Sequence, residues 1–241
     1  MRQAGRYLPG YQRIRGETDF LDLCKTPDLA AEVSVEPLEV LDVDAVIIFS
    51  DILVPLEAMG LKVEFGDSGP CMSNPLRDRA DIEVLNIPDP VESTGFVMDV
   101  IRAVHERVQG KVPVIGFAGA PWTLSCYALE GSPSRTFAAA QRLIYESPAD
   151  LHLLMEKISD TVVAYLRAQV EAGANAVQLF DSWAGCLSPD DYARYVLPFV
   201  QQIVSSVATG VPVINFATGN PALLPLLAQS GCSVVGVDWR Y

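Results

Sequence analysis

The chain has 241 residues, half of them hydrophobic, and a net charge of −13 at neutral pH. That length suits one large domain with a sizeable core, and the acidic balance excludes a general nucleic-acid surface, which needs clustered cations facing phosphate. No apolar run reaches the roughly 18 residues of a membrane span, and no apolar stretch follows the first basic residues as in a secretion signal. The five cysteines, Cys24, Cys71, Cys126, Cys186 and Cys232, are odd in number and no two lie closer than 46 positions. That spacing excludes a local CxxC metal or redox motif and points to reduced thiols in the cytoplasm.

Taken in chain order, the first feature is a cationic segment. Residues 1–15 hold Arg2, Arg6, Arg13 and Arg15 and no acid, a local charge of +4 that leaves −17 for the other 226 residues. Such a segment is either a solvated tail or a site for carboxylate or phosphate, which the guanidinium fork binds in bidentate fashion. Thr26-Pro27 opens a helix expected to kink at Pro37. Asp44–Phe49 (DAVIIF) reads as a buried strand, and residues 60–88, rich in Gly, Pro and Asp, as a loop or hairpin excursion. Residues 90–109 form a helix stopped by Gly110, followed by the strand Val112–Phe117 (VPVIGF). Ser147-Pro148 opens a helix reaching Gly173, ahead of the strand Asn175–Phe180 (NAVQLF). Ser188-Pro189 opens another, ending near Gly210, ahead of Val211–Phe216 (VPVINF). Asn220-Pro221 opens a short one closed by Gly231, ahead of Ser233–Asp238 (SVVGVD). The last three starts each pair a capping side chain with proline at the first helical position, and each of these helices ends at a glycine.

Strand–helix alternation with apolar strands predicts a parallel sheet in a single α/β domain spanning 1–241. Neither GxGxxG nor GxxxxGK[ST] follows a strand, so dinucleotide and P-loop chemistry have no support. In a parallel barrel the chemistry sits where strands end. Here those ends are polar and place Asp51, Asp181 and Asp238 on one rim, with Ser182 beside them. Any one aspartate there reads first as a helix cap, whereas three together favour a site.

Several of these segments resemble the uroporphyrinogen decarboxylase family. Met1–Pro9 (MRQAGRYLP) looks like its N-terminal signature. Ile47–Leu53 (IIFSDIL) looks like the segment holding its essential aspartate. Gly116–Leu124 (GFAGAPWTL), with Tyr127 and Glu130-Gly131, is similar to its second signature. Gln178–Gly185 (QLFDSWAG) and Val235–Trp239 (VGVDW) match two further segments. The resemblance implies a (β/α)₈ TIM barrel, here incomplete, with the first strand and the last two βα units missing, and a cofactor-free, metal-free homodimer. The implied reaction converts the four acetates of uroporphyrinogen III to methyls, giving coproporphyrinogen III. Asp51 would accept hydrogen bonds from the pyrrole N–H groups and stabilise positive charge on the ring. Arg2 and Arg6 would meet substrate carboxylates, with Arg15 a third contact and Gln3 beside them. Arg2 also matches a proposed proton donor, a weak role for a group with pKa above ~12. Tyr127 and Ser182 would orient Asp51 or the substrate, and Ile47, Phe180 and Trp122 would form walls. The family's active-site histidine falls outside the matched segments, and neither His105 nor His152 replaces it, since both sit inside helical patterns. On this reading residues 1–241 alone are expected to be poorly soluble or partly unfolded, and inactive. Two alternatives remain open. One is a non-catalytic chain that only binds a porphyrinogen. The other is a cobalamin-related zinc methyltransferase of the same superfamily, whose His-x-Cys ligands have no counterpart in Val213–Ala217 (VINFA).

Overall fold

In the computed structural model, which describes residues 5–66, 69–132, 134, 136–208 and 210–240, three helices precede the first strand. They are α1 (Pro9–Glu17), α2 (Phe20–Lys25) and α3 (Pro27–Leu41), followed by β1 (Val46–Ile47). Next come α4 (Val54–Ala58), an antiparallel hairpin of β2 (Val63–Gly66) and β3 (Gly69–Met72), α5 (Arg79–Glu83) and α6 (Pro90–Val108). The remainder runs β4 (Val114–Gly119), α7 (Pro121–Glu130), α8 (Ala138–Glu146), α9 (Pro148–Glu171), β5 (Ala176–Asp181), α10 (Pro189–Asp191), α11 (Leu197–Val207), β6 (Val213–Ala217), α12 (Leu224–Gln229) and β7 (Val234–Gly236).

The five strands read from the sequence form one parallel sheet, ordered β1-β4-β5-β6-β7. The α/β class with a parallel sheet is therefore as expected. Along β4 and β5, side chains alternate between two apolar environments, since successive residues point to opposite faces. Phe117, Phe180 and Phe216 line one face as an edge-to-face ladder, with centroids 5.5 and 5.8 Å apart. Val177 and Leu179 are buried without exposure on the other. There α9 lies across the sheet with its apolar stripe Leu151, Leu154, Met155, Ile158 and Val162 inward. Its Gln169 reaches the sheet backbone: Nε2 donates to the Phe117 carbonyl and Oε1 accepts from the Phe117 amide, each at 2.9 Å. Gly116 makes room for this, because a Cβ there would collide with Gln169 Oε1.

Some helix starts differ from expectation. Ser188 and Asn220 cap as predicted, accepting from the Asp191 and Ala222 amides at 3.1 and 3.0 Å. Ser147 makes no such cap, and neither does Thr26, whose hydroxyl instead donates back to the Asp22 carbonyl of α2. Pro37, the expected kink position, sits inside α3, which runs on to Leu41. The helix expected from Ser188 to Gly210 is interrupted by a π turn over Tyr192–Val196. Pro198 lacks the amide that would bond four residues back, which accounts for the irregular turn before it. The 60–88 excursion contains the expected hairpin and also α5, capped by Asp78. Among the described residues no helix is long and apolar enough to cross a membrane.

Candidate active site

The cleft opens because β1 is short. Ile48 donates the last ladder bond, to the Ile115 carbonyl, and the Phe49 amide turns away to Ser34 Oγ of α3 at 2.7 Å. Strand β4 continues to Gly119 against β5. The chain beyond Phe49 thus peels off the sheet, leaving a cleft of ≈ 310 Å³ lined by Arg6, Ile47, Ser50, Asp51, Phe117, Tyr127, Phe180 and Ser182, with Pro70 of the hairpin at its edge. That volume is at the lower end of the range for ligand clefts, ~300–1,000 Å³.

Asp51 is the central ionisable group. Its Oδ1 accepts from the Leu53 amide at 2.9 Å, which fixes the carboxyl in a local turn. Burial pushes its pKa up from 3.8 to about 6, against the opposing pull of the Leu53 amide and the nearby Arg6 charge. Tyr127 comes from α7, which starts at Pro121 and ends at Gly131 in the left-handed conformation, φ +80°. Burial first, and the Asp51 charge second, raise the Tyr127 phenol to about 12, so it stays a neutral hydrogen-bonding group. The Arg6 guanidinium sits over Phe20 and Phe49, 5.1 and 5.8 Å from the ring centroids. Those rings pack edge-on against each other at 5.7 Å, and Tyr11 closes on Phe49 at 5.6 Å. An aromatic cluster between α1, α2 and the end of β1 therefore sets where the arginine lies.

Six of the expected site residues, Arg6, Ile47, Asp51, Tyr127, Phe180 and Ser182, meet at this one cleft. Arg2 and Gln3 lie outside the described residues. Arg15 does not line the cleft: its guanidinium bonds the Thr18 carbonyl and faces the Phe20 ring. Trp122 is not a wall but wholly buried, donating Nε1–H to the Trp183 carbonyl at 3.3 Å. Nor do the three rim aspartates share one site. Asp181 turns to α7, where Oδ1 accepts from Thr123 Oγ1 at 2.6 Å, and Asp238 is buried in an ion pair with Arg240. Period-two alternation explains Asp181: with Phe180 and Ser182 facing the cleft, the residue between them faces away. Pro70 and Phe117 are additions. Phe117 shares the cleft face with Phe180, a signal the same alternation carried, whereas nothing local in the sequence marks Pro70. Among the described residues no group of three or more His, Cys, Asp or Glu side chains could hold a metal ion.

A family model described as Uroporphyrinogen decarboxylase (URO-D) matches residues 1–241. The chain is 55% identical over 240 residues to a protein of Myxococcus xanthus (strain DK1622) named uroporphyrinogen decarboxylase, covering 99% of this chain and 69% of that one. A protein of the same name from Syntrophotalea carbinolica (strain DSM 2380 / NBRC 103641 / GraBd1) is 52% identical over 240 residues, covering 99% of this chain and 70% of its own length. Among solved structures, a methyltransferase from Methanosarcina mazei superposes with a TM-score of 0.77 at 20% identity, covering 91% of this chain and 67% of that one. At that identity the likeness concerns the fold alone.

Proposed function

We propose, because this chain belongs to the uroporphyrinogen decarboxylase family, that it removes carbon dioxide in turn from the four acetate side chains of uroporphyrinogen III. Each acetate becomes a methyl, and the product is coproporphyrinogen III. The observation that carries this reading is the recessed Asp51 carboxylate, facing a cleft that also holds Arg6 and Tyr127.

Breaking the bond between an acetate methylene and its carboxylate leaves an electron pair that needs a sink. A pyrrole protonated at a ring carbon supplies one. The pair moves into the cationic ring, carbon dioxide departs, a proton adds at the former methylene to give methyl, and loss of the ring proton restores the pyrrole. This sequence needs no metal or organic cofactor. Asp51 would accept the pyrrole N–H groups and face the ring as it becomes cationic, an interaction stronger in the transition state than in the ground state. Arg6, and Arg2 with Gln3 in the preceding segment, would hold the carboxylate arms, while Tyr127 and Ser182 orient them against the Phe180 and Ile47 walls. The five-stranded sheet is read as an arc of a single-domain (β/α)₈ barrel, supported by its sequential parallel order. The protein is further read as a homodimer that works in the cytoplasm.

The test is anaerobic incubation with uroporphyrinogen III, with products resolved by carboxylate number. Stepwise appearance of seven-, six-, five- and four-carboxylate species is expected. Binding without loss of carboxylates would keep the site and remove the catalysis, and neither binding nor conversion would remove both.

A further inference from the structure

We infer that Thr123 and Asp181 are positioning residues: their buried side-chain link fixes the Ser182–Trp183 turn against α7, and so sets how Ser182 and Tyr127 together present to a carboxylate-bearing ligand. The inference rests on the functional reading above for what the cleft binds.

Thr123 makes two bonds through one oxygen. Its hydroxyl donates to Asp181 Oδ1 at 2.6 Å, and the same oxygen accepts from the Trp183 amide at 3.1 Å. The residues on both sides of Ser182 are thereby tied to one point on α7. Three further bonds complete the hold. Trp122 Nε1 donates to the Trp183 carbonyl at 3.3 Å, Thr218 Oγ1 donates to the Ser182 carbonyl at 2.7 Å, and the Thr218 amide donates to the Asp181 carbonyl at 3.3 Å. The Ser182 backbone is thus held from α7 on one side and from the end of β6 on the other, while its side chain lines the cleft. Tyr127 is one helical turn beyond Thr123, on the same face of α7. Its ring leans on Trp183 with centroids 5.9 Å apart. One helix therefore carries both a cleft residue and the anchor of the opposing turn.

Burying a carboxyl here is expensive, which argues that it has a use. Asp181 is fully buried, and its Oδ2 has no hydrogen-bond partner among the described residues. Burial raises the carboxyl from 3.8 to about 7, with the Thr123 hydroxyl and backbone amide pulling it back. The plain alternative is that Asp181 only caps α7, whose own N-cap residue, Ala120, has no side chain able to do so. The two roles separate at Thr123. A valine there keeps the backbone amide that a cap needs, and loses the hydroxyl that reaches Trp183.

The experiment compares wild type, Thr123→Val, Thr123→Ser and Ser182→Ala in the whole chain. The readouts are hydrogen exchange over residues 181–186, anaerobic affinity for uroporphyrinogen III, and thermal midpoint. Thr123→Val removes both bonds made through the hydroxyl and is expected to speed exchange in that segment and to weaken binding, each by at least about tenfold. Its melting temperature should fall by several degrees, since a buried amide and a buried carboxyl oxygen each lose a partner, and Thr123→Ser should restore all three properties. If Thr123→Val does not fold, Thr123→Ala removes the same hydroxyl with less crowding. Unchanged exchange, or a loosened segment with unchanged affinity, overturns the inference. An unchanged affinity in Ser182→Ala shows instead that Ser182 does not touch substrate, which defeats the functional reading of that residue and the purpose assigned to the link. If wild type binds no uroporphyrinogen, the functional reading fails and takes this role of the link with it.

Discussion

Replacing Asp51 by Asn separates what the carboxylate does to the fold from what it does in the cleft. The side chain keeps its shape, and Asn Oδ1 still accepts the Leu53 amide that Asp51 now holds at 2.9 Å. Only the charge goes. Burial raises the folded-state pKa from 3.8 to about 6. The folded state therefore holds its proton over a pH range where the unfolded chain has released it. The sign follows: wild-type stability falls as pH rises from about 4 to about 6, and the full penalty is present above that window. A shift of about two units corresponds to about 3 kcal/mol, and since the carboxylate still reaches water in the cleft, ~1–3 kcal/mol is the working range. At ~2–4 °C per kcal/mol for a chain of this size, Asp51→Asn should melt several degrees above wild type at pH 8 and level with it near pH 4.

The same carboxylate should make the opposite contribution once substrate is bound. Pyrrole N–H donors favour its ionised form, so affinity should fall as pH drops below about 6, because binding must first remove a proton. In the Asn variant both this slope and most of the decarboxylation should be gone. Thermal melts at pH 4, 6 and 8 and anaerobic titrations between pH 5 and 7 read the two halves. A variant that melts at or below wild type at pH 8 would show that burial does not strain Asp51, and near-normal turnover would remove it from the centre of the chemistry.

Arg6→Ala should cost little stability, ~0.5–1 kcal/mol for the lost contacts with Phe20 and Phe49, while raising KM by roughly 10–150-fold, as for a charge-assisted bond worth ~1.5–3 kcal/mol; steady-state kinetics should show kcat changing less. Gly116→Ala should destabilise by ~1–3 kcal/mol in urea titrations, because the added methyl drives Gln169 off the Phe117 backbone.

How much of this was legible in the sequence depended on whether the signal was local. The five strands were, because Val, Ile and Phe runs between capped helices fit only a buried parallel sheet, and each observed strand falls within or beside its expected run. The convergence of Asp51, Tyr127, Phe180 and Ser182 was legible too, since strand ends in one parallel sheet point the same way and the motifs name residues just beyond them. Direction within a strand end was harder. Asp181 reads as a rim carboxylate if only position is counted, and as a buried anchor once the alternation of Phe180 and Ser182 is respected. What the sequence hid was each side chain's choice among several possible partners, whether near in the chain or far. Thr26 spends its hydroxyl on α2, Arg15 turns to Thr18, and Pro70 reaches the cleft through a hairpin whose path depends on what it packs against. The shortness of β1 belongs with these. Nothing in Asp44–Phe49 announces that Phe49 will give its amide to Ser34, fifteen residues earlier, yet that one diverted bond peels the chain off the sheet and places Asp51 in an opening rather than in a ladder.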